Sequence, residues 1–352
     1  LIGKVHDVMN GTVTEGNNST KVVDNLGTVI SRTENKELED SLGNKITVPA
    51  GFFIVKPAQD DTVTYDYTGD GVPTVQDGMV IQNAEDGNQF VWVPVGNIKN
   101  KDGSTTTIKL GRYSDFTMNG TTLPTPAQEA TSNSSNVAVI IGTWYFEVSD
   151  SFTGDSGKNL AAASNYANIK ATDLQEWIDT SLANGGYYIG RYEATQSTID
   201  ATKAASVKEV EPWVDITQLD AAKAAKRTYP VEGTNSSNYY SDLINSYAWD
   251  TAIVFIQAYE DSSYAEKNNS TNVTTGANQD KVCNIYDMSG NGEEWVTETS
   301  IYTLDNNSLP CVLRGGFVSN EGEIISYTYT RNANPIDSVL SFHAFRITLY
   351  VK

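Results

Sequence analysis

Cysteine and histidine are scarce, with two of each in 352 residues. Cys283 and Cys311 allow one disulfide or two buried thiols, and the sequence leaves both readings open. Nothing resembles a Cys/His metal cluster, and His6 and His343 lie far apart in the chain, which argues against zinc. Basic residues are also few: 24 Lys plus Arg stand against 44 Asp plus Glu, a formal net charge of -20. A field of that sign repels phosphate backbones and anionic lipid, so nucleic acid is not expected as a partner. No apolar run is long enough to cross a bilayer, and no membrane insertion is expected. The chain opens at Leu1 without a signal peptide, which reads as a processed product whose anchor has been removed. No phosphate loop, zinc motif or Ser-His-Asp set is present, and His343 has no evident general-base partner, so no organic cofactor is expected.

What the chain does have is polar without being highly charged. Charged residues make up 19% of it, and Tyr is abundant at 19 residues. A surface of Tyr, Asn, Ser, Thr and Gly combines rigid amphipathic rings with adaptable hydrogen-bonding groups, the mixture that binding surfaces favour. The length suits two domains.

Residues 1 to about 45 are polar and weakly patterned. From Ile46 the texture becomes β-like, with Phe52-Phe53-Ile54-Val55 apolar, Val63 to Tyr67 alternating, and turns at Gly69-Asp70-Gly71 and Asp77-Gly78. Asp66, Asp70 and Asp77 miss the spacing of an EF-hand loop and read as hairpin turns. Phe90 to Val95 is continuously apolar, the pattern of a strand buried on both faces. Residues 118 to 136 read as a loop, and strand texture returns from Val137 to Val148. Leu174, Trp177, Ile178 and Leu182 form one helical stripe, and Ala248, Ala252, Phe255, Ile256 and Tyr259 form another. Ser246 is the expected N-cap of the second helix, with Asp250 favouring its first turn. Residues 217 to 227 form a third helix that stops before Pro230. From Val282 the chain is strands and turns, so the class is α+β.

Several stretches, in order, resemble one family. Tyr187 to Thr195 looks like the "FYIGKYEVT" strand of the formylglycine-generating enzyme and sulfatase-modifying-factor family. Tyr229-Pro230-Val231 with Ala248 to Ala252 resembles its helix entry, and Asn284 to Val296 resembles "GLYDMSGNVWEWV". Val312 to Gly316 matches "VLRGG", and Ala344-Phe345-Arg346 stands where the family has "GFR". The resemblance covers residues 88–352 and implies a C-type-lectin-like fold. A small β-rich region, 1–87, precedes it as a connecting or anchoring segment. Arg314, Arg346, Trp249 and Trp295 belong to motifs shared across functions, so structural roles are expected for them.

The enzymes of that family carry two redox cysteines between "RGG" and "GFR". The aligned positions here are Ser326 and Arg331, which supply no thiolate for a copper site, so a non-enzyme is expected. The variable proteins of diversity-generating retroelements resemble this chain more closely. Their ligand-binding patch lies in the same window, here 314–346, and is diversified by mutation at template adenines. Between Phe317 and His343 only Glu321 and Glu323 fall outside the residues such mutation of Asn-type codons can reach. The resemblance implies binding through Phe317, Val318, Ser319, Asn320, Tyr327, Tyr329, Arg331, Asn332, Asn334, Phe342 and His343. On pattern alone, Tyr327 and Tyr329 would be one face of an ordinary strand, and Phe317 and Phe342 are the residues best suited to a core. The family's calcium turn maps onto Asp287, Gly290, Gly292 and Glu294; a plain solvated turn is the alternative, and Glu293 replaces the usual apolar residue there. The expected function is a surface-displayed or secreted bacterial or phage protein that binds a protein or glycan and is attached to a pilus, envelope or virion by its N-terminal region. The alternatives are a formylglycine-generating-type enzyme or pseudoenzyme, and a structural envelope or pilus subunit.

Overall fold

The computed structural model describes residues 19–132, 139–141, 144–147 and 174–352, apart from 58, 64, 66–72, 270–272, 278–279, 301–302, 305–306, 310 and 317–326. Its architecture is sheet-rich with few helices, of the α+β or mostly-β kind. Two six-stranded sheets carry it. The first is built from β1 (Phe52–Ile54), β2 (Val80–Asn83), β3 (Gln89–Pro94), β6 (Gly186–Gly190), β7 (Tyr239–Leu243) and β12 (Ile347–Val351), in the order β7-β12-β6-β3-β2-β1. All its pairings are antiparallel, with Tyr188 opposite both Trp92 and Leu349. Every residue of β3 is buried, as its unbroken apolar run requires of a strand with neighbours on both edges.

The second sheet contains β4 (Val139–Ile141), β5 (Trp144–Glu147), β8 (Glu293–Ser300), β9 (Cys311–Arg314), β10 (Arg331–Asn334) and β11 (His343–Phe345). The order is β4-β5-β8-β9-β10. β11 adds to β8 in parallel, placing Glu293 opposite His343 and Trp295 opposite Phe345. Thus the chain ends by running first along one sheet and then, after Arg346, into the middle of the other.

Three longer helices complete the described fold: α1 (Leu174–Asn184), α2 (Gln218–Thr228) and α3 (Ser246–Tyr259). α3 is buried from Ser246 to Gln257 and touches both β3 and β8, so it lies in the seam between the sheets. Its all-round apolar character is what such a position demands. Thr217 caps α2, its hydroxyl accepting from the backbone N–H of Asp220. The cap of α3 differs from expectation: Asn245, not Ser246, accepts from the N–H of Ala248, at 2.9 Å. Ser246 instead donates its hydroxyl to Glu298, and Asp250 turns to buried guanidiniums rather than serving the helix start.

The pairings of the early strands bear on the division expected at residue 87. The division at residue 87 does not exist in the sheet. β2 and β3 pair across it, with Ile81 opposite Phe90, because the strands before and after share one hydrogen-bonded ladder. The polar stretch before Ile46 also holds a strand, Lys36–Glu39, paired with Lys45–Val48. Cys283 and Cys311 are both buried and no disulfide joins them, which decides for thiols.

Gly78 shows how tightly the early segment is tied to the later one. It closes a 3-10 turn with φ +71°, and a Cβ there would sit 1.8 Å from the carbonyl oxygen of Cys283. The Asn284 amide donates to the carbonyls of both Asp77 and Gly78. Gly78→Ala is expected to destabilise the protein by about 2 kcal/mol or more, from the left-handed backbone and the clash together. A urea midpoint unchanged from the parent would show that this approach is not close in solution.

Candidate functional site

The C-terminal window is held by a buried ion network. Asp250, on α3, sits against Arg314 of β9, with Nη1 to Oδ1 at 2.6 Å, and also binds Arg331 of β10. Its Oδ2 accepts from the backbone N–H of Tyr113 at 2.8 Å. Arg331 reaches on to Glu298 and donates to the carbonyl of Tyr113. Glu298, on β8, also takes Arg112 and the Ser246 hydroxyl. All five charged side chains are buried. Burial alone would raise the Glu298 carboxyl, but the guanidiniums of Arg112, Arg331 and Arg314 outweigh it and hold it below the usual range. Arg314 goes down to about 10, by burial first and by the like charge of Arg331 second.

This network holds a turn at the surface. Arg314 donates from Nε to the carbonyl of Thr330 at 3.1 Å and from Nη2 to that of Tyr329 at 3.3 Å. On its other side the turn is clamped to residues 265–267. The N–H groups of Thr328 and Tyr329 donate to the carbonyls of Lys267 and Ala265, both at 3.0 Å, and the Thr328 hydroxyl also donates to Lys267. Thr328 is buried, while Tyr327 and Tyr329 on either side of it are 46% and 41% exposed. Their rings stack with centroids 5.5 Å apart and planes 10° from parallel. The two tyrosines are thus not one face of a strand: they stand on a turn whose backbone is fixed from both sides.

The other residues expected to bind are placed differently. Arg331 is corrected: it is buried in the ion network, because two carboxylates and a carbonyl inside the fold outcompete solvent for its guanidinium. Asn332, Asn334 and Phe342 are half-buried. His343 is buried against Trp295 and Phe342, with centroids at 4.8 and 5.1 Å, and burial pushes its imidazole down to about 4. Phe317, Val318, Ser319, Asn320 and the aligned position Ser326 lie outside the described residues.

The expected calcium turn is buried, so the solvated alternative is corrected too. Both oxygens of Glu294 are engaged by Arg346, at 2.6 and 3.1 Å, and Arg346 also donates to the carbonyls of Gly190 and Tyr286. The Gly292 N–H donates to Glu193 at 3.0 Å. Calcium needs six to eight oxygens with free lone pairs, and a carboxylate chelated by a guanidinium is a poor donor. Among the described residues no group of three or more His, Cys, Asp or Glu is placed to hold a metal ion. Of the set Asp287, Gly290, Gly292 and Glu294, it is therefore Glu294 that is not placed to serve calcium as arranged. Glu193 is pushed well up by burial and by the charges of Asp287 and Glu294, and Glu294 goes up to about 7, mainly through burial.

Sequence reasoning passed over Glu298 and Arg112, and it read Asp250 only as a helix-start residue. One signal was available. The chain has seven arginines, and Arg112, Arg191, Arg314, Arg331 and Arg346 are all buried. Arginines that rare, placed next to strand motifs, ask for internal carboxylates.

No family model and no curated protein matches the chain in sequence. Among solved structures, the crystal structure of CarF is similar at 15% identity over 47% of this chain and 87% of that one, with a TM-score of 0.32, too low to carry an argument about fold or function.

Proposed function

We propose that the chain is a non-catalytic extracellular ligand-binding protein of the variable-protein type, with a C-type-lectin-like fold over its C-terminal portion. Its ligand is a protein or glycan, met by the face around Tyr327 and Tyr329. The N-terminal region attaches it to a cell envelope, pilus or virion. The observation that carries this reading is the stacked, exposed tyrosine pair on a clamped turn. It lies within the window from Arg314 to Arg346 that the resemblance marks out for ligand contact. Exposed aromatic rings on a fixed backbone lose little entropy on binding, which is what makes an anchor effective. Arg331 supports the non-catalytic reading, since the position of an expected thiol holds an ion-paired guanidinium.

Tyr327→Ala and Tyr329→Ala test the face. Screened on a glycan array and on immobilised surface proteins, each variant is expected to bind the parent's best ligand about tenfold more weakly. Both rings are surface groups, so stability should move by no more than about 0.5 kcal/mol. Unchanged affinity in both variants would remove this face from the binding site.

A further inference from the structure

Most buried acids among the described residues face a cation or several hydrogen-bond donors. Asp250, Glu294 and Glu298 face guanidiniums, as does Asp60, and Asp242 and Asp280 face lysines. Asp40 accepts from three backbone N–H groups and an amide. Glu193 accepts from the Asn291 amide and the Gly292 N–H, and Glu293 has fewer donors still. It is 2% exposed, and its hydrogen bonds come from the Asn332 amide, 3.2 Å from each oxygen. Among the described residues it has no ion-pair partner. Burial pushes its carboxyl up to about 7, with only the Asn332 hydrogen bond opposing.

His343 lies opposite Glu293 in the parallel β8–β11 pair, so the two side chains leave the same face of the sheet. It is fully buried, and neither of its ring nitrogens has a hydrogen-bond partner among the described residues. Each buried polar atom left so costs about 1–3 kcal/mol. Glu293 with its one amide donor and His343 with none, the imidazole packed by the rings of Trp295 and Phe342, form a polar floor that nothing among the described residues completes.

We propose that Glu293, Asn332 and His343 form the floor of a pocket that receives a cationic group of the ligand, a protonated amine or a guanidinium. The carboxylate supplies the opposite charge and the amide orients it. An anion would meet Glu293 and a strongly acidic chain, and a neutral ligand would leave the carboxylate without a counter-charge. Asn332 and Phe342, which border the pocket, are half-buried. The inference rests on the C-terminal face being the binding surface, and it adds what chemistry that surface selects.

The test uses methylguanidinium and n-butylammonium as probes, with acetate as control, and reads the imidazole NMR signals. The chain has two histidines, so His6→Gln assigns the His343 signal directly. Both cations are expected to shift His343 saturably in the millimolar range, and acetate is not. In Glu293→Gln the cation response should weaken by at least about tenfold. That variant should be as stable as the parent at neutral pH or more so, because a buried amide costs less than a buried carboxylate without a partner. No saturable His343 shift with either cation, or equal shifts with cations and acetate, would overturn the inference without any variant. Cation affinity unchanged in a folded Glu293→Gln would overturn it too. None of these probes reports on Tyr327 or Tyr329, so failure here leaves the tyrosine face to be judged by its own variants.

Discussion

Asp250→Ala should lower stability by about 3–5 kcal/mol, a large part of what a protein of this kind has in total. The reason is what the substitution leaves behind. Arg314 and Arg331 each lose a carboxylate inside the fold, and the Tyr113 N–H loses its acceptor. Glu298 remains alone against three guanidiniums. Removing one partner of a buried pair is costly because the survivor stays buried and charged, whereas replacing both by apolar groups of like size can be nearly neutral. Asp250→Leu combined with Arg314→Met and Arg331→Leu should therefore recover much of the loss. The Tyr327–Thr330 turn gives a second readout. With Arg314 unanchored, amide exchange at Thr328 and Tyr329 should quicken more than that in β3. Urea denaturation giving a loss below about 1 kcal/mol would mean that water reaches these guanidiniums and that the network does not frame the turn.

Arg346→Met should be comparably damaging, with a pH signature. The guanidinium holds Glu294 through two hydrogen bonds and also satisfies two carbonyls. Without it Glu193, Asp287 and Glu294 share a buried volume from which the guanidinium that answers Glu294 is gone. Their folded pKa values, already raised for Glu193 and Glu294, rise further. A carboxyl whose pKa is raised on folding adds its stability below its unfolded pKa and loses it as pH rises through the folded value. The deficit of Arg346→Met should thus be about 3–5 kcal/mol at alkaline pH and clearly smaller near the unfolded carboxyl range. A deficit equal at both ends would show that the lost contacts are the carbonyl bonds and packing, and that the carboxyls do not feel Arg346.

Much of the fold was legible because periodicity writes burial into the sequence. The continuous run Phe90 to Val95 is a fully buried central strand, and the stripe Ala248 to Tyr259 is the helix between the sheets. Boundaries that depend on pairing were not legible. Nothing local in Val80–Asn83 says that its partner lies just past residue 87 in the same sheet as the chain's final strand. The candidate site was legible by position but not by orientation. Tyr327 and Tyr329 stay outside because Thr328 between them is drawn in by Lys267, a contact 61 residues away in sequence. Arg331 turns inward because Asp250 and Glu298 wait there, although its neighbours in sequence look like a polar surface. Glu293 was noticed only as an odd residue in a turn. Its isolation shows only when the neighbouring strands and their charges are in place.

The buried and exposed halves of the window make the variable-protein reading directly testable at the level of DNA. The account predicts a near-copy of the segment encoding residues 314–346 close to the gene, beside a reverse transcriptase, with differences at adenines. It also predicts that sequence variation among isolates falls on Tyr327 and Tyr329 and spares Arg314, Arg331 and Arg346, whose guanidiniums the fold needs. Sequencing the locus and this segment from many isolates is the measurement. No such repeat, or substitutions as frequent at Arg331 as at the two tyrosines, would contradict the claim that this window is a diversified binding face on an invariant ionic frame.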